Sequence, residues 1–182
     1  MRDVGKVEPG ERVLINGASG GVGTYAVQIA KARGAEVTGV CSGRNLEMVR
    51  SIGADHVIDY TREDFTQGDR RYDLILDNVG NRSLSDCRRV LTPNGTLIPN
   101  SGTAGGKWIG PLIPMGRAWV TSPFVSQNLR TFLSTPNEDD LNALVDLVES
   151  GKVVPVIGGT YRLADAAEAL RVVADGHAQG KL

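Results

Sequence analysis

"LINGASGGVGTYAVQIAKARGAEV", Leu14 to Val37, decides how this chain is read. The apolar run "RVLIN" (Arg12–Asn16) has the character of a buried strand. It passes into Gly17–Gly23, seven residues with nothing bulkier than valine and four glycines among them. A helical pattern follows over Thr24–Arg33, with Ala26, Ile29, Ala30 and Arg33 along one side, and Gly34 supplies its stop. "EVTGVC" (Glu36–Cys41) then reads as a second strand. Side chains are kept small where something must lie close to the backbone.

The alternation continues. "NLEMVRSI" (Asn45–Ile52) reads as a helix with Asn45 as its N-cap and Gly53 after its end. "HVIDY" (His56–Tyr60) is a third strand, "YDLILDNV" (Tyr72–Val79) a nearly continuous apolar fourth, and "GTLIPN" (Gly95–Asn100) a fifth. The helix Ser83–Leu91 ends before Pro93. Ser101–Pro123, rich in Gly and Pro, reads as loop, and "FVSQNLRTFL" (Phe124–Leu133) as a sixth strand. A helix capped by Asn137 has acids in its first turn and closes at Gly151; an Ala-rich one spans Leu163–Gly176. Apolar strands alternating with helices specify an α/β fold: a doubly wound, three-layer Rossmann sheet of about six parallel strands.

Within that fold, a glycine turn between the first strand and its helix is where a dinucleotide pyrophosphate sits. The spacing Ala18-x-Gly20-x-x-Gly23 varies the G-x-G-x-x-G pattern, with Gly17 added before it. Gly20 lets backbone approach the phosphates, Gly23 lets the helix pack on the sheet, and the free N–H groups at the helix start face the anion. Ala18, Ser19, Gly20, Gly21, Val22 and Gly23 are therefore expected in the cofactor site. Two rival motifs fail. "GGKW" puts Trp108 where a P-loop needs Ser or Thr. A Tyr-x-x-x-Lys pair is absent, since Tyr25, Tyr60, Tyr72 and Tyr161 are followed four places on by Ile29, Asp64, Leu76 and Asp165.

An NAD site places an acid at the end of the second strand for the ribose 2′-OH. Here Ser42, Gly43 and Arg44 stand there. A hydroxyl, an open backbone and a guanidinium suit a 2′-phosphate, so the expected cofactor is NADPH (NADP). Tyr60 is expected to flank the adenine ribose. The missing acid also counts against a methyltransferase on a similar fold.

Composition sets outer bounds. A net charge of −1 over 182 residues implies no general attraction to nucleic acid or membrane. There is no apolar run long enough to span a bilayer. Cys41 and Cys87 make neither a disulfide framework nor a zinc-ligand spacing and read as apolar fillers, so no metal and a reducing, cytoplasmic setting are expected. Asp55, His56 and Asp59 read as structural, Asp77 as either a turn residue or a cofactor contact, and His177 as a helix C-terminal charge.

The run "INGASGGVGTYAVQIAKARGAEVTGVCSGRNLEMVRSIGADHVIDY", with "YDLILDNVG", "LTPNGTLIPNSG" and "LVESGKVVPVI" in order, resembles the cofactor domain of medium-chain dehydrogenases/reductases. Within them it is most similar to the zinc-independent quinone oxidoreductase, reticulon-4-interacting-protein-like branch. The resemblance implies hydride transfer from NADPH to a quinone or α,β-unsaturated carbonyl. It also implies that Asn78, Val79 and Gly80, and Asn100, Ser101 and Gly102, line the cofactor, and that Phe124–Leu133 pairs across a homodimer. It implies one NAD(P)-binding domain over residues 1–182, and an N-terminal GroES-like catalytic domain that this chain does not contain. Turnover by this chain alone is then expected to be poor. No catalytic acid is evident. A non-catalytic NADPH-binding module for redox sensing or docking is the alternative.

Overall fold

The backbone at Gly17 has φ of +80°, a left-handed conformation that any side chain would strain. That turn brings the chain from the first strand into the first helix at close range. A Cβ placed on Gly23 would meet the Gly17 carbonyl oxygen at 2.1 Å, so only glycine fits there. The computed structural model describes residues 1–100, 127–131, 137–176 and 178–182.

The strands are β1 (Arg12–Asn16), β2 (Glu36–Cys41), β3 (His56–Asp59), β4 (Tyr72–Asp77), β5 (Leu91–Pro99) and β6 (Asn128–Leu129). The helices are α1 (Gly23–Ala32), α2 (Leu46–Ser51), α3 (Leu84–Arg89), α4 (Glu138–Glu149) and α5 (Ala166–Ala174). The described strands form one six-stranded sheet in the order β3-β2-β1-β4-β5-β6, every neighbouring pair parallel. This is the doubly wound Rossmann α/β fold. Ile15 of β1 stands between Gly39 of β2 and Leu76 of β4.

Alternate strand residues serve the two faces. Val13, Ile15, Leu74 and Leu76 join Ala26, Val27 and Ala30 of α1 and Val49 of α2 in one apolar cluster. Leu14, Ile75 and Leu97 join Phe65, Cys87 and Val90 in the other. A sheet buried on both sides explains why β1 and β4 read as continuous apolar runs. By contrast, α4 and α5 bury none of their residues.

Most element ends shift by a residue or a few from the sequence reading; the differences that matter most lie at β5, at the helix before it and in Phe124–Leu133. β5 begins at Leu91, not Gly95. Leu91 pairs with Tyr72, and the register then jumps so that Thr96 faces Leu74. The residues between bulge out where Pro93 has no N–H to give the ladder. The helix before it accordingly stops at Arg89. In the stretch Phe124–Leu133, the described strand is Asn128–Leu129, parallel to β5 at the sheet edge. Phe124–Ser126, Phe132 and Leu133 lie outside the described residues, as do Ser101, Gly102, Trp108, Trp119 and His177. The α4 cap matches expectation: the Asn137 side-chain oxygen accepts from the Asp140 N–H at 2.8 Å.

Gly23→Ala should destabilise the chain by about 1–3 kcal/mol through overpacking. Gly20→Ala, which has φ outside the left-handed region and only the Gly17 oxygen nearby at 3.5 Å, should stay within about 1 kcal/mol of the parent. Urea unfolding of the two variants checks this; equal stabilities would contradict the close helix–turn contact.

Candidate functional site

The strand order reverses between β1 and β4, and the carboxyl ends of those strands open a crevice. Asn16, the last residue of β1, is buried, and its Nδ2 donates to Asp77 Oδ1 at 2.8 Å and Asn81 Oδ1 at 3.1 Å. The same Asp77 oxygen accepts from the backbone N–H groups of Val79 at 3.1 Å and Gly80 at 2.9 Å. Of the two roles open to Asp77, the structure gives it the turn. It folds Asn78–Gly80 back over the end of β4 and ties that loop to β1. Asn78 extends the lattice: its Nδ2 donates to the Asn16 carbonyl at 3.2 Å, and its Oδ1 accepts from Asn100 at 2.8 Å.

Across the crevice stands the start of α1. Val22 occupies the N-cap without a side-chain hydrogen bond, and the first turn carries no acid. The amide groups there keep their partial positive charge and have no side-chain acceptor. Gly20 presents bare backbone. Gly21 differs, because a Cβ there would meet Lys181 Nζ at 3.0 Å and the Gly180 oxygen at 3.1 Å. The glycines of one turn therefore answer different demands: Gly23 packing, Gly21 the C-terminal segment, Gly20 nothing in the protein itself.

On the far side, Ser42 leads into a 3-10 turn, Gly43–Asn45. The acid nearest to it comes from β3. Asp59 is buried, and its Oδ1 accepts from the Thr61 hydroxyl at 2.8 Å and the Thr61 N–H at 3.0 Å. Those bonds, the hydroxyl first, and a further one from the Gly43 N–H hold its carboxyl below the usual range. Asp59 thus braces the turn from beneath, and a Cβ on Gly43 would lie 2.7 Å from its Oδ2. Asn45 does not cap α2, as its sequence position suggested. Its Nδ2 donates to Ser19 Oγ at 3.0 Å and its Oδ1 accepts from Gln179, so the competing partners are long-range groups invisible in the local sequence.

The cleft these elements enclose has a volume of about 510 Å³. Ser19, Gly20, Gly21, Val22 and Gly23 line it from the glycine turn. Ser42, Arg44 and Tyr60 line it from the β2 and β3 ends, and Asn78 and Val79 from β4. Ala18, Gly43, Gly80 and Asn100 are not on its wall; Ala18 is wholly buried because its methyl packs into the core. Sequence reasoning missed Asn16, Cys41, Asn45, Asn81, Gly176 and Ala178, which the structure adds. Asn16 and Cys41, at strand carboxyl ends, carried a positional signal; Gly176 and Ala178 carried none. Cys41 offers no nucleophile. Burial pushes its thiol up to about 11, and that of Cys87 to about 12, so both are protonated at neutral pH. A larger cavity, about 800 Å³, lies between α1, α4 and Met1–Val4. Its wall is mostly apolar, includes Asn100, and contains none of the glycines of the turn.

Residues 52–182 match the family model described as zinc-binding dehydrogenase. This chain belongs to the zinc-binding dehydrogenase family. It is 36% identical over 187 residues to the mouse protein named NAD(P)H oxidoreductase RTN4IP1, mitochondrial, covering 94% of this chain and 47% of that one. It is 33% identical to the chloroplastic quinone-oxidoreductase QR1 of Triphysaria versicolor, covering 97% of this chain and 53% of that one. Among solved structures, the quinone oxidoreductase of Coxiella burnetii superposes with a TM-score of 0.78 at 27% identity, covering 97% of this chain and 53% of the other. The chain thus spans about half the length of these relatives. Together they place it with the medium-chain, quinone oxidoreductase-like proteins. The family description names zinc. Among the described residues no three His, Cys, Asp or Glu side chains converge on a point that could hold a metal, and the two cysteines sit in different core clusters.

Asp77→Ala should cost about 1–3 kcal/mol, because Val79, Gly80 and Asn16 all lose a buried acceptor. Equilibrium unfolding checks this, and a loss below about 0.5 kcal/mol would contradict the bracing role. At pH 8 the folded chain should resist a thiol reagent, and unfolding should release both cysteines; rapid labelling of the native chain would contradict their burial.

Proposed function

We propose that this chain is the NADP(H)-binding part of an oxidoreductase that passes hydride from NADPH to a quinone or an α,β-unsaturated carbonyl. The observation that carries the reading is the uncapped start of α1 beside the bare backbone of Gly20, at the reversal point of the sheet. Backbone amides and the helix dipole there suit a pyrophosphate. Ser42 and Arg44 lie at the β2 end of the same cleft, where a 2′-phosphate would reach them. Asp59 stands behind the Gly43 turn, where its carboxylate accepts from Thr61 and from the Gly43 N–H. Tyr60 and Val79, half-exposed on the cleft wall, supply flat and apolar contact at its two ends.

Bound there, NADPH supplies a hydride. The chain's own residues bind and orient. Asn78, held by Asn16 and Asn100, fixes the β4 loop on the nicotinamide side, and Asn100 brings the end of β5 to it. In this reading residues 1–182 are one cofactor domain, the substrate wall belongs to a separate GroES-like half, and the β6 edge pairs two copies into a homodimer. The quinone and oxidoreductase names of the relatives support the substrate class. The protonated, buried thiols suit a reducing compartment such as the cytoplasm; the named relatives are mitochondrial and chloroplastic, and no described helix is long and apolar enough to cross a membrane.

Calorimetric titration at one fixed salt concentration tests the reading. NADPH should bind more tightly than NADH. Arg44→Ala should weaken NADPH binding by about 1.5–3 kcal/mol and barely change NADH. Equal losses for both would remove Arg44 from the 2′-phosphate, and no binding of either would remove the cofactor site.

A further inference from the structure

The C-terminal segment lies across the glycine turn, and several independent bonds hold it there. The Gly180 N–H donates to the Ser19 carbonyl at 2.9 Å. The Gln179 amide donates to Asn45 Oδ1, while Asn45 Nδ2 donates to Ser19 Oγ at 3.0 Å. Asn45 is only 4% exposed, so this is a buried polar bridge between turn, β2 end and tail. Lys181 seats its ammonium 6.0 Å from the centre of the Tyr25 ring.

Behind the tail a second layer repeats the arrangement. The Lys181 N–H donates to the Val156 carbonyl and the Gly158 N–H to the Lys181 carbonyl, both at 2.8 Å, a short parallel bridge. That layer is tied to α1 by Gln28, whose side chain donates to the Val154 carbonyl at 3.0 Å and accepts from the Val154 N–H at 2.7 Å. Gly176 and Ala178 complete the cleft wall. The tail therefore touches the element that would hold the pyrophosphate while forming part of the cleft itself.

We propose that Ala178–Leu182 is a strap whose docking on the glycine turn is coupled to cofactor binding, with Asn45 and Gln179 as the positioning residues that carry the coupling. This rests on the NADP(H) reading of the cleft. Ser19 is the shared element: its hydroxyl and carbonyl are both held by the strap system, and its neighbour Gly20 is the bare backbone facing the anion. Ordering the turn before the cofactor arrives removes part of the ordering cost of binding. By linkage, whatever factor the docked strap adds to cofactor affinity, the cofactor returns to strap docking. The strap binds and orders; it transfers no group.

The test uses the full 182-residue chain and NADPH. Amide hydrogen exchange at Gly180 and Lys181 is measured with and without saturating NADPH, and NADPH affinity is measured for the parent and for Gln179→Ala. The expected result is slower exchange at both amides in the presence of NADPH, and binding weakened by about threefold to tenfold in Gln179→Ala, the loss expected for one neutral hydrogen bond. The thermal midpoint of the unliganded variant should stay close to the parent, because Gln179 lies outside both core clusters. A tail that merely packs would not change its exchange on adding cofactor. If the parent binds NADPH but exchange is unaltered, or Gln179→Ala binds as tightly as the parent, the strap is overturned while the cofactor site stands. If the parent does not bind NADPH, the functional reading falls and the strap with it.

Discussion

The Gly17 carbonyl oxygen stands 2.1 Å from where a side chain on Gly23 would begin. The rest of the molecule is arranged around that contact. It lets α1 start directly over the end of β1, so Ala26, Val27 and Ala30 reach the sheet. A larger residue at 23 would lift the helix, and with it the core face and the start of the helix that lines the cleft.

Around that contact the strand ends are held by amides and two carboxylates. Asn16, Asp77, Asn78 and Asn100 form a lattice over β1, β4 and β5, three strands joined by side chains where the backbone ladder runs out. Asp59 does the corresponding work for β2 and β3. Both acids are buried, and both spend their charge on N–H and O–H donors, which is how a carboxylate remains tolerable in such a place. The cleft is thereby built rigid on its sheet side. On its outer side it is closed by Gly176, Ala178 and the segment after them, which is held by hydrogen bonds and not by a buried apolar face.

The unequal burial of the two halves of the chain follows from the same geometry. Residues up to Pro99 supply every strand of the double-sided core except the short β6. α4 and α5 carry apolar side chains that remain exposed, such as Leu141, Leu170 and Val173. They reach the sheet indirectly, through Val153, which is fully buried, and through Gln28 holding Val154.

The local sequence by itself determined the layered fold and the glycine turn. Apolar strands at regular intervals, with Gly34 and Gly53 closing the helices between them, admit only a parallel sheet covered on both faces. The spacing from Gly17 to Gly23 shows where backbone must be bare. Most of the cleft wall was legible for the same reason: in such a sheet the strand carboxyl ends gather at one edge, and those ends are consecutive in the chain. What only the tertiary structure decided were the partners of polar side chains. Asn45 had a suitable position for capping a helix and instead joins Ser19 to Gln179, 134 residues further on. The role of Asp77 and the bulge that starts β5 at Leu91 likewise hang on neighbours that sequence spacing does not encode. Hydrophobic periodicity is a local property repeated along the chain, whereas a hydrogen bond between distant groups exists only once folding has brought them within 3 Å.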